Sequence, residues 1–341
     1  MVELKANTAV YIAGERVNQF QALLDASLQT QMFLYAPGSA RNVKSHIRTY
    51  LLFCTYFNRV AIPADSDTLV TFAELMSCTA GYAHIKHIFG SIKLLHKIYN
   101  IEFVEHDFRV DVALQSLKRK LAKTPLQVLP IKPDILESIA LFIDLSKPED
   151  QALWASFLVA FFCMFRKKSL VPESAGKYDP IKMLSRKKIA IYPDKNLALV
   201  YANFAKNIQF CERDIVIPLI GIPGSILCPV TALQNLFVNN PASLESPAFS
   251  FTSKGKTACI TYSIFTKRLK QLLSICGINP ELYSGHSFRR GGASFLYKLG
   301  ADPILIKLSG DWLSDAYLRY VSVDLDHRMF AQQMMVAAIS S

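Results

Sequence analysis

Apolar side chains in the first 120 residues recur at the spacing of amphipathic helices. Apolar positions three or four residues apart place their side chains on one face of a helix, which can then be buried. Asp65 lies just before one of these stripes, where its carboxylate can cap a helix N-terminus. The pattern predicts a small helical domain over residues 1–121, with helices at 40–57, 68–76, 83–99 and 110–121.

Two of these predicted helices carry basic faces. The apolar stripe of 83–99 ends at Ile98, and the opposite face carries Lys86, His87, Lys93, His96 and Lys97. Helix 110–121 ends in the run Lys118, Arg119 and Lys120. Such faces attract nucleic acid, although a solvated helix surface has the same composition. His84 and His87 have the spacing of metal ligands but no acidic or cysteine partner, so we interpret them as a surface or DNA-facing pair.

A proline-rich segment follows the helical domain. Its three prolines cannot continue a helix, so residues 122–133 are a predicted linker and a second domain spans 134–341. In that domain helices are predicted over 134–145, 150–165, 231–238 and 262–276, and strands over 189–192, 197–201 and 214–219. The predicted fold class is mainly α with a small antiparallel β-sheet.

Composition limits the classes of function. The 341 residues are 51% apolar or aromatic, which is enough for well-packed cores, and a net charge of +11 favours polyanionic partners such as nucleic acid. Seven scattered cysteines without a CxxC pair argue against a disulfide framework and a zinc ribbon. The N-terminus lacks a signal-peptide pattern and the apolar run 152–165 is too short for a bilayer, so we expect a soluble, intracellular protein.

The densest polar cluster is Ser284-Gly-His-Ser-Phe-Arg-Arg-Gly-Gly292, at a predicted helix start. His286 and Arg289 are three positions apart and therefore share a face of the first turn. Helix N-termini favour anions, so this cluster suits a phosphate, although a capping histidine beside a surface arginine has the same spacing. Gly291 and Gly292 are poor helix formers, which predicts close packing against this backbone.

Two further cations stand at unusual places in the chain. Arg166 ends the most apolar predicted helix, where it is either a partner of the helix dipole or an anchored phosphate ligand. Lys206 lies between two predicted strands, at a hairpin or bulge that can project it into a cleft. An edge-strand lysine that deters aggregation is the alternative.

An aromatic segment lies near the C-terminal end. Trp312 is one of two tryptophans and follows a glycine turn at Gly310. Ser314 is predicted to cap a short helix on which Tyr317 and Tyr320 share a face. Tyrosines at this spacing are usually packing residues, so their local sequence does not identify a nucleophile.

The order of these residues resembles the tyrosine recombinase (phage integrase) family. That family's catalytic set is Arg, Lys, His-x-x-Arg, His or Trp, and Tyr. The stretches FAKNIQFCERDIVIPL and HSFRRGGASFLYKLGADPILIKLSGDWLSDAYLRYV are similar to recombinases of eukaryotic mobile elements, the Crypton and DIRS/Ngaro-like groups. The resemblance covers about residues 130–325 and is looser over 20–121. The matching positions here, which we call the catalytic set, are Arg166, Lys206, His286, Arg289, Trp312 and Tyr320.

The resemblance implies a helical core-binding domain, an α/β catalytic domain, and DNA cleavage through a 3′-phosphotyrosine without metal, ATP or another cofactor. Tyr320 would attack the scissile phosphate. Arg166 and Arg289 would clamp its non-bridging oxygens. Lys206 would protonate the leaving 5′-oxygen, and His286 would assist proton transfer from the tyrosine.

The sequence departs from the family pattern at two places. The acidic residue that commonly follows the first Arg by three positions is Ser169 here, which removes an anchor for Arg166. The step from Trp312 to Tyr320 is 8 residues, one shorter than in many bacterial and phage members, so Tyr317 is an alternative nucleophile. The eukaryotic-element pattern LRY assigns Tyr320, and Trp312 would support the site by packing and an indole N–H.

The resemblance also implies partners. These are double-stranded DNA and further copies of the chain, as dimers or tetramers on DNA, in the nucleus, with no membrane or small-molecule substrate. The apolar stripe of the tail, Met329 to Ile339, would dock on a neighbouring protomer or on its own domain. Candidate DNA contacts are Lys86, His87, Lys93, Lys97, Lys118, Arg119, Lys120 and Arg290.

Two rival functions remain open. A domesticated mobile-element recombinase would bind DNA without cutting it, and the complete catalytic set argues against that while Ser169 argues for it. A type IB topoisomerase would share the chemistry but act as a monomer. The recombinase-like N-terminal region and the apolar tail favour recombination.

Overall fold

The computed structural model describes residues 22–23, 26–27, 35–104, 107–122, 128–202, 215–312, 314–319, 329, 332–333, 335–337 and 339. The chain divides into two compact units, Met1–Pro125 and Leu126–Ser341. The described part is mainly α-helical with small antiparallel sheets, which is the predicted fold class.

The first unit contains the four predicted helices. Asp65 caps the second of them, because its carboxylate accepts a hydrogen bond from the Thr68 backbone N–H at 2.7 Å. Their buried faces form one core around Tyr50, Phe72 and Ile85. The helices are α1 (Pro37–Tyr56), α2 (Ser66–Ser77), α3 (Tyr82–Ile98) and α4 (Phe108–Lys120).

The last turn of α3 departs from the prediction at two residues. His96, predicted on the basic face, is fully buried; its Nε2 accepts from the Ala64 N–H at 2.9 Å and its Nδ1 donates to the Ile92 carbonyl at 2.8 Å. Ile98, predicted in the buried stripe, is 65% exposed. Helical spacing alone does not show that the loop carrying Ala64 closes over this turn and buries the imidazole.

The second unit is built around one helix that is buried on every side. Residues Ala152 to Phe161 of this helix are each at most 3% exposed. The helix packs against the helices that begin at Pro229 and His286 and against the strand that begins at Ser250. The helices of this unit are α5 (Pro133–Ala140), α6 (Pro148–Phe162), α7 (Lys167–Leu170), α8 (Pro229–Asn239), α9 (Tyr262–Ile275), α10 (His286–Lys298) and α11 (Pro303–Ser309).

The predicted three-stranded sheet is confirmed. Its strands are β1 (Ile189–Tyr192), β2 (Leu197–Ala202) and β3 (Ile215–Ile220), antiparallel and in the order β1-β2-β3. Val200 lies at the centre of the register, opposite Ile189 on one side and Ile217 on the other.

A second hairpin was not predicted. It pairs β4 (Ser250–Ser253) with β5 (Lys256–Cys259), and both Lys254 and Gly255 in its turn have a positive φ. The strands are short and rich in Ser, Thr and Lys, so they lack the alternation of apolar and polar residues that identifies a strand in the sequence.

Helix α6 ends earlier than predicted, and this changes the setting of Arg166. The helix stops at Phe162, and Met164 then adopts a left-handed φ of 49°. Arg166 is therefore not the last residue of α6 but the residue that precedes α7. The backbone of Arg166 therefore belongs to the start of α7, three residues beyond the C-cap of α6 at Cys163.

The prediction of close packing against the glycine pair in α10 is confirmed. A Cβ on Gly291 would collide with the Ile131 carbonyl oxygen, and one on Gly292 would lie 2.6 Å from the Phe161 oxygen and 2.7 Å from the Met164 Cγ. The Ile131 N–H also donates to the Ser287 carbonyl at 3.0 Å. The two glycines let α10 approach the end of α6 and the segment around Ile131 that precedes α5.

Two properties of the described residues bear on membrane insertion and disulfide formation: the length of the helices and the state of the cysteines. Within the residues that the structure describes, every helix is too short or too polar to cross a bilayer. The six described cysteines are free thiols, and Cys211 lies outside the described residues.

We expect Gly291→Ala to lower the free energy of unfolding of the second unit by about 1–3 kcal/mol, the usual cost of overpacking a filled core. Both tryptophans, Trp154 and Trp312, lie in this unit, so urea unfolding followed by tryptophan fluorescence measures it directly. Gly176→Ala is the matched control, because nothing lies within 4 Å of its added Cβ. Equal unfolding midpoints for the two variants would contradict the packing role of Gly291.

Candidate active site

Arg289 is the most constrained cation of the predicted catalytic set. It lies one turn into α10, and the residue is 3% exposed. Its Nη1 donates to the Met164 carbonyl and its Nη2 to the Gly310 carbonyl, the latter at 2.7 Å. Its Cζ lies 4.0 Å from the centroid of the Trp312 ring. The guanidinium is thus held by two separate segments of chain, the turn at Met164 and the segment from Gly310 to Trp312, so its position is fixed before any ligand binds.

Arg166 shares a cavity with Arg289. Arg166 is half-buried and precedes α7, directly after the turn that begins at Met164. The turn therefore links the two arginines: Met164 supplies a carbonyl to Arg289, and two residues later the chain presents Arg166. The cavity is lined by Cys163, Phe165, Arg166, Ser169, Ala202, Ile215, Ile217, Arg289, Ser309, Gly310 and Asp311.

His286 is a half-buried imidazole whose surroundings disfavour its charged form. It opens α10, one turn before Arg289. Burial lowers its pKa below the ordinary value, and the positive charges of Lys167, Arg289 and Arg166 lower it further. Its Nδ1 is buried, and no residue in the described part of the chain pairs with it. A neutral imidazole among cations can accept a proton, which an imidazolium cannot do.

Trp312 and Tyr317 belong to a small core beside the site. Trp312 is 5% exposed and Tyr317 is 7% exposed, and both pack with Met164 and Ile306. The tryptophan ring lies so close to Gly310 that any side chain there would collide with it. Both rings therefore act in packing, and Trp312 also supports the guanidinium of Arg289.

Lys206 and Tyr320 lie outside the described residues, as does the segment from Phe204 to Arg213. Their neighbours in the chain are described. Ala202 and Ile215, on either side of the segment that carries Lys206, line the cavity of the two arginines. A 3₁₀ helix, Asp315–Arg319, ends directly before Tyr320 and is anchored by the buried Tyr317.

The candidate DNA contacts of the first unit lie on its surface. Lys93 is half-exposed, and Lys120 forms an ion pair with Glu74 at 2.7 Å. Arg290, in the second unit, is half-buried. Lys86, His87, Lys97, Lys118, Arg119 and Lys120 are exposed.

Two contacts near the candidate residues could not be recognised in the sequence. In the first unit, His46 Nδ1 lies 3.0 Å from the Ser91 Oγ, and its ring contacts that of His84 edge-on. Among the described residues no three potential ligands come together in a metal-binding arrangement. In the second unit, Lys167 lies over the ring of Tyr262 and acts electrostatically on His286. In the sequence Lys167 is one of three consecutive basic residues, Arg166 to Lys168, and nothing in that run distinguishes it.

No protein-family model matches the sequence, and no curated protein matches it. Solved structures do match. The Tn1549 transposon integrase in complex with transposon right end DNA aligns with a TM-score of 0.63 and 12% identity, over 91% of this chain and 98% of the integrase chain. A lambda integrase dimer bound to a COC′ core site gives 0.57 and 11% identity, over 87% and 95% of the two chains.

The XerH site-specific recombinase bound to a palindromic difH substrate, in a post-cleavage complex, is also similar. It aligns with a TM-score of 0.54 and 13% identity, over 87% of this chain and 78% of the XerH chain. At identities of 11–13% these likenesses establish the fold and nothing finer. The chain has the two-domain, mainly helical fold of the tyrosine recombinases.

Proposed function

We propose that this chain is a tyrosine-type site-specific DNA recombinase, which cuts and rejoins DNA through a 3′-phosphotyrosine. One observation carries the proposal: Arg166 and Arg289 line a single cavity, and His286 opens the helix that carries Arg289, one turn before it. Two guanidinium groups at one place suit the non-bridging oxygens of a phosphate, because both are permanent cations that carry several N–H donors. The fold shared with DNA recombinases supports the same chemistry.

The proposed reaction begins when the Tyr320 hydroxyl attacks the scissile phosphorus. His286 takes up the phenolic proton, directly or through water, while Arg166 and Arg289 stabilise the charge that develops on the phosphorane. Lys206 protonates the departing 5′-oxygen, so one P–O bond forms as another breaks. Rejoining is the reverse reaction with a new 5′-hydroxyl, and the covalent link retains the bond energy without ATP.

The assignment of the nucleophile to Tyr320 gains support from the setting of Tyr317. The Tyr317 ring is buried against Trp312, in the small core that these two rings form with Met164, Ala293 and Ile306. An attack by Tyr317 would require that core to open. Tyr320 comes directly after the 3₁₀ helix that this core anchors.

DNA is the proposed partner of both units. The integrases and the recombinase with the same fold are each described with DNA bound. The basic faces of α3 and α4 would supply phosphate contacts, which give affinity without sequence information. Since lambda integrase is described as a dimer on its core site, we also propose self-association on DNA.

The finer identity is a proposal from the sequence pattern. We propose a mobile-element recombinase of the Crypton, DIRS or Ngaro-like kind, acting in the nucleus in integration or excision. Its proposed domains are 1–121 for DNA binding, 122–133 as linker and 134–341 for catalysis, including the tail. The basis is the pair of stretches around Lys206 and from His286 to Tyr320.

We expect the chain to form an SDS-resistant adduct on a nicked suicide substrate that carries its own element's ends. Tyr320→Phe should abolish the adduct, because the phenyl ring has no nucleophilic oxygen. Tyr317→Phe is the matched control and should retain it, because this change preserves the buried ring. Adduct formation is measured by gel shift under denaturing conditions, with peptide mapping of the attachment site.

An adduct that persists in Tyr320→Phe but disappears in Tyr317→Phe would move the nucleophile to Tyr317. If the wild-type chain binds a verified cognate site yet forms no adduct, the chain is a DNA-binding protein derived from a recombinase.

We expect Arg289→Lys to slow adduct formation by roughly 10²- to 10³-fold, the usual effect of losing one donor to a developing oxyanion. A lysine cannot donate to the Met164 and Gly310 carbonyls in the same fork, so the second unit should also lose about 1–3 kcal/mol of stability. Arg268→Lys is the matched control, since Arg268 pairs with Asp150 at 2.7 Å away from the cavity. A wild-type rate in Arg289→Lys would contradict the clamp.

We expect the double variant Lys86→Ala/Lys97→Ala to weaken binding to any duplex and to reduce the slope of log K against log[salt] by about two, one per lost phosphate contact. Fluorescence anisotropy over a salt series measures both quantities. Lys147→Ala is the control, because Lys147 is already paired with Asp144 at 3.0 Å. An unchanged slope in the double variant would exclude α3 from the DNA interface.

A further inference from the structure

Lys167 is fixed between the starts of two helices next to the site. It follows Arg166 and opens α7. Its Nζ lies 3.8 Å from the ring centroid of Tyr262, the first residue of α9. Its Cβ and Cδ lie 3.6 and 4.0 Å from the position a Cβ would take on Gly285, directly before His286. The ammonium is therefore held beside the N-terminal end of α10.

Tyr262 holds this ammonium in two ways. Its ring face attracts the cation, an interaction that is stronger where the groups are partly removed from water. Burial is the largest influence and raises the pKa of Tyr262, but the side-chain interactions with Lys167 and Thr266 together outweigh it, so the pKa lies below its ordinary value.

The charge of Lys167 acts on His286. Burial is the largest cause that lowers the pKa of His286, and Lys167 is the strongest of the charged groups, ahead of Arg289 and Arg166. These cations come from three places: Arg166 before α7, Lys167 in α7 and Arg289 in α10 itself. From α9, Tyr262 packs on Gly285 and orients Lys167.

We propose that Lys167 is a positioning residue of the cleavage site: clamped on the Tyr262 ring and packed against Gly285, it places its ammonium at the start of α10, where His286 would accept the nucleophile's proton. The role in cleavage rests on the proposed recombinase function. The electrostatic effect of Lys167 on His286 does not depend on that function. Lys167 thus differs from Arg166 and Arg289, which line the cavity.

The first test is the titration of His286 in the full-length chain, followed by NMR of the imidazole Cε1–H and assigned with His286→Asn. In Lys167→Met the pKa of His286 should rise, because a cation that opposes protonation is gone. Lys167→Arg should restore the wild-type titration. Lys168→Met is the matched control, since the exposed Lys168 is not among the charges that act on His286.

The clamp is tested by a pair of changes at Tyr262. Tyr262→Phe keeps the ring and should hold Lys167 in place, so the His286 titration should stay near that of wild type. Tyr262→Leu removes the ring and should shift the pKa of His286 upwards, in the direction of Lys167→Met. An identical titration in Tyr262→Leu and wild type would overturn the clamp.

The second test is the pH profile of adduct formation. If His286 must be neutral, a raised pKa moves the acidic limb of the profile to higher pH. The ratio of the rate at about pH 8 to that at about pH 6 should therefore be larger in Lys167→Met than in wild type, and Lys167→Arg should restore it.

Two outcomes would overturn the proposal. The first is an unchanged His286 titration in Lys167→Met. The second is a uniform loss of rate at all pH values together with a smaller salt slope for DNA binding, which would make Lys167 a phosphate contact. If wild type forms no adduct, the recombinase function fails, while the titration still decides whether Lys167 controls His286.

Discussion

The buried guanidinium of Arg289 is the interaction on which the arrangement of the site depends. Removing a cation from water costs several kcal/mol unless its donors are satisfied. Here the Met164 and Gly310 carbonyls accept from the two Nη groups, and the Trp312 ring covers one face. Satisfying this one charge therefore fixes the turn after α6, the end of α11 and the first turn of α10 relative to one another.

The glycines and the left-handed turn make this arrangement possible. Gly291 and Gly292 let α10 approach the Ile131 and Phe161 carbonyls, which places Arg289 within reach of Met164. The positive φ of Met164 ends the path of α6 and turns the chain towards Arg166. The same turn places Lys167 against Gly285. The turn at Met164 therefore helps to position Arg289, Arg166 and Lys167.

Much of the fold could be predicted because its elements have strong local signals. The four helices of the first unit and the three strands of the larger sheet follow apolar periodicity and are found within a few residues of their predicted bounds. The β4–β5 hairpin could not be predicted, because its polar strands lack alternation. His96 was placed wrongly, because the segment that covers it comes from 32 residues earlier in the chain.

The sequence by itself determined the order of the candidate catalytic residues and the need for close packing at Gly291 and Gly292, since both are properties of residue type and spacing. Only the tertiary structure decided that Arg166 lies beyond α6, that it shares a cavity with Arg289, and that Lys167 lies over the ring of Tyr262. These are distances between groups far apart in the chain. They depend on how the buried charge of Arg289 is satisfied, which no local pattern records.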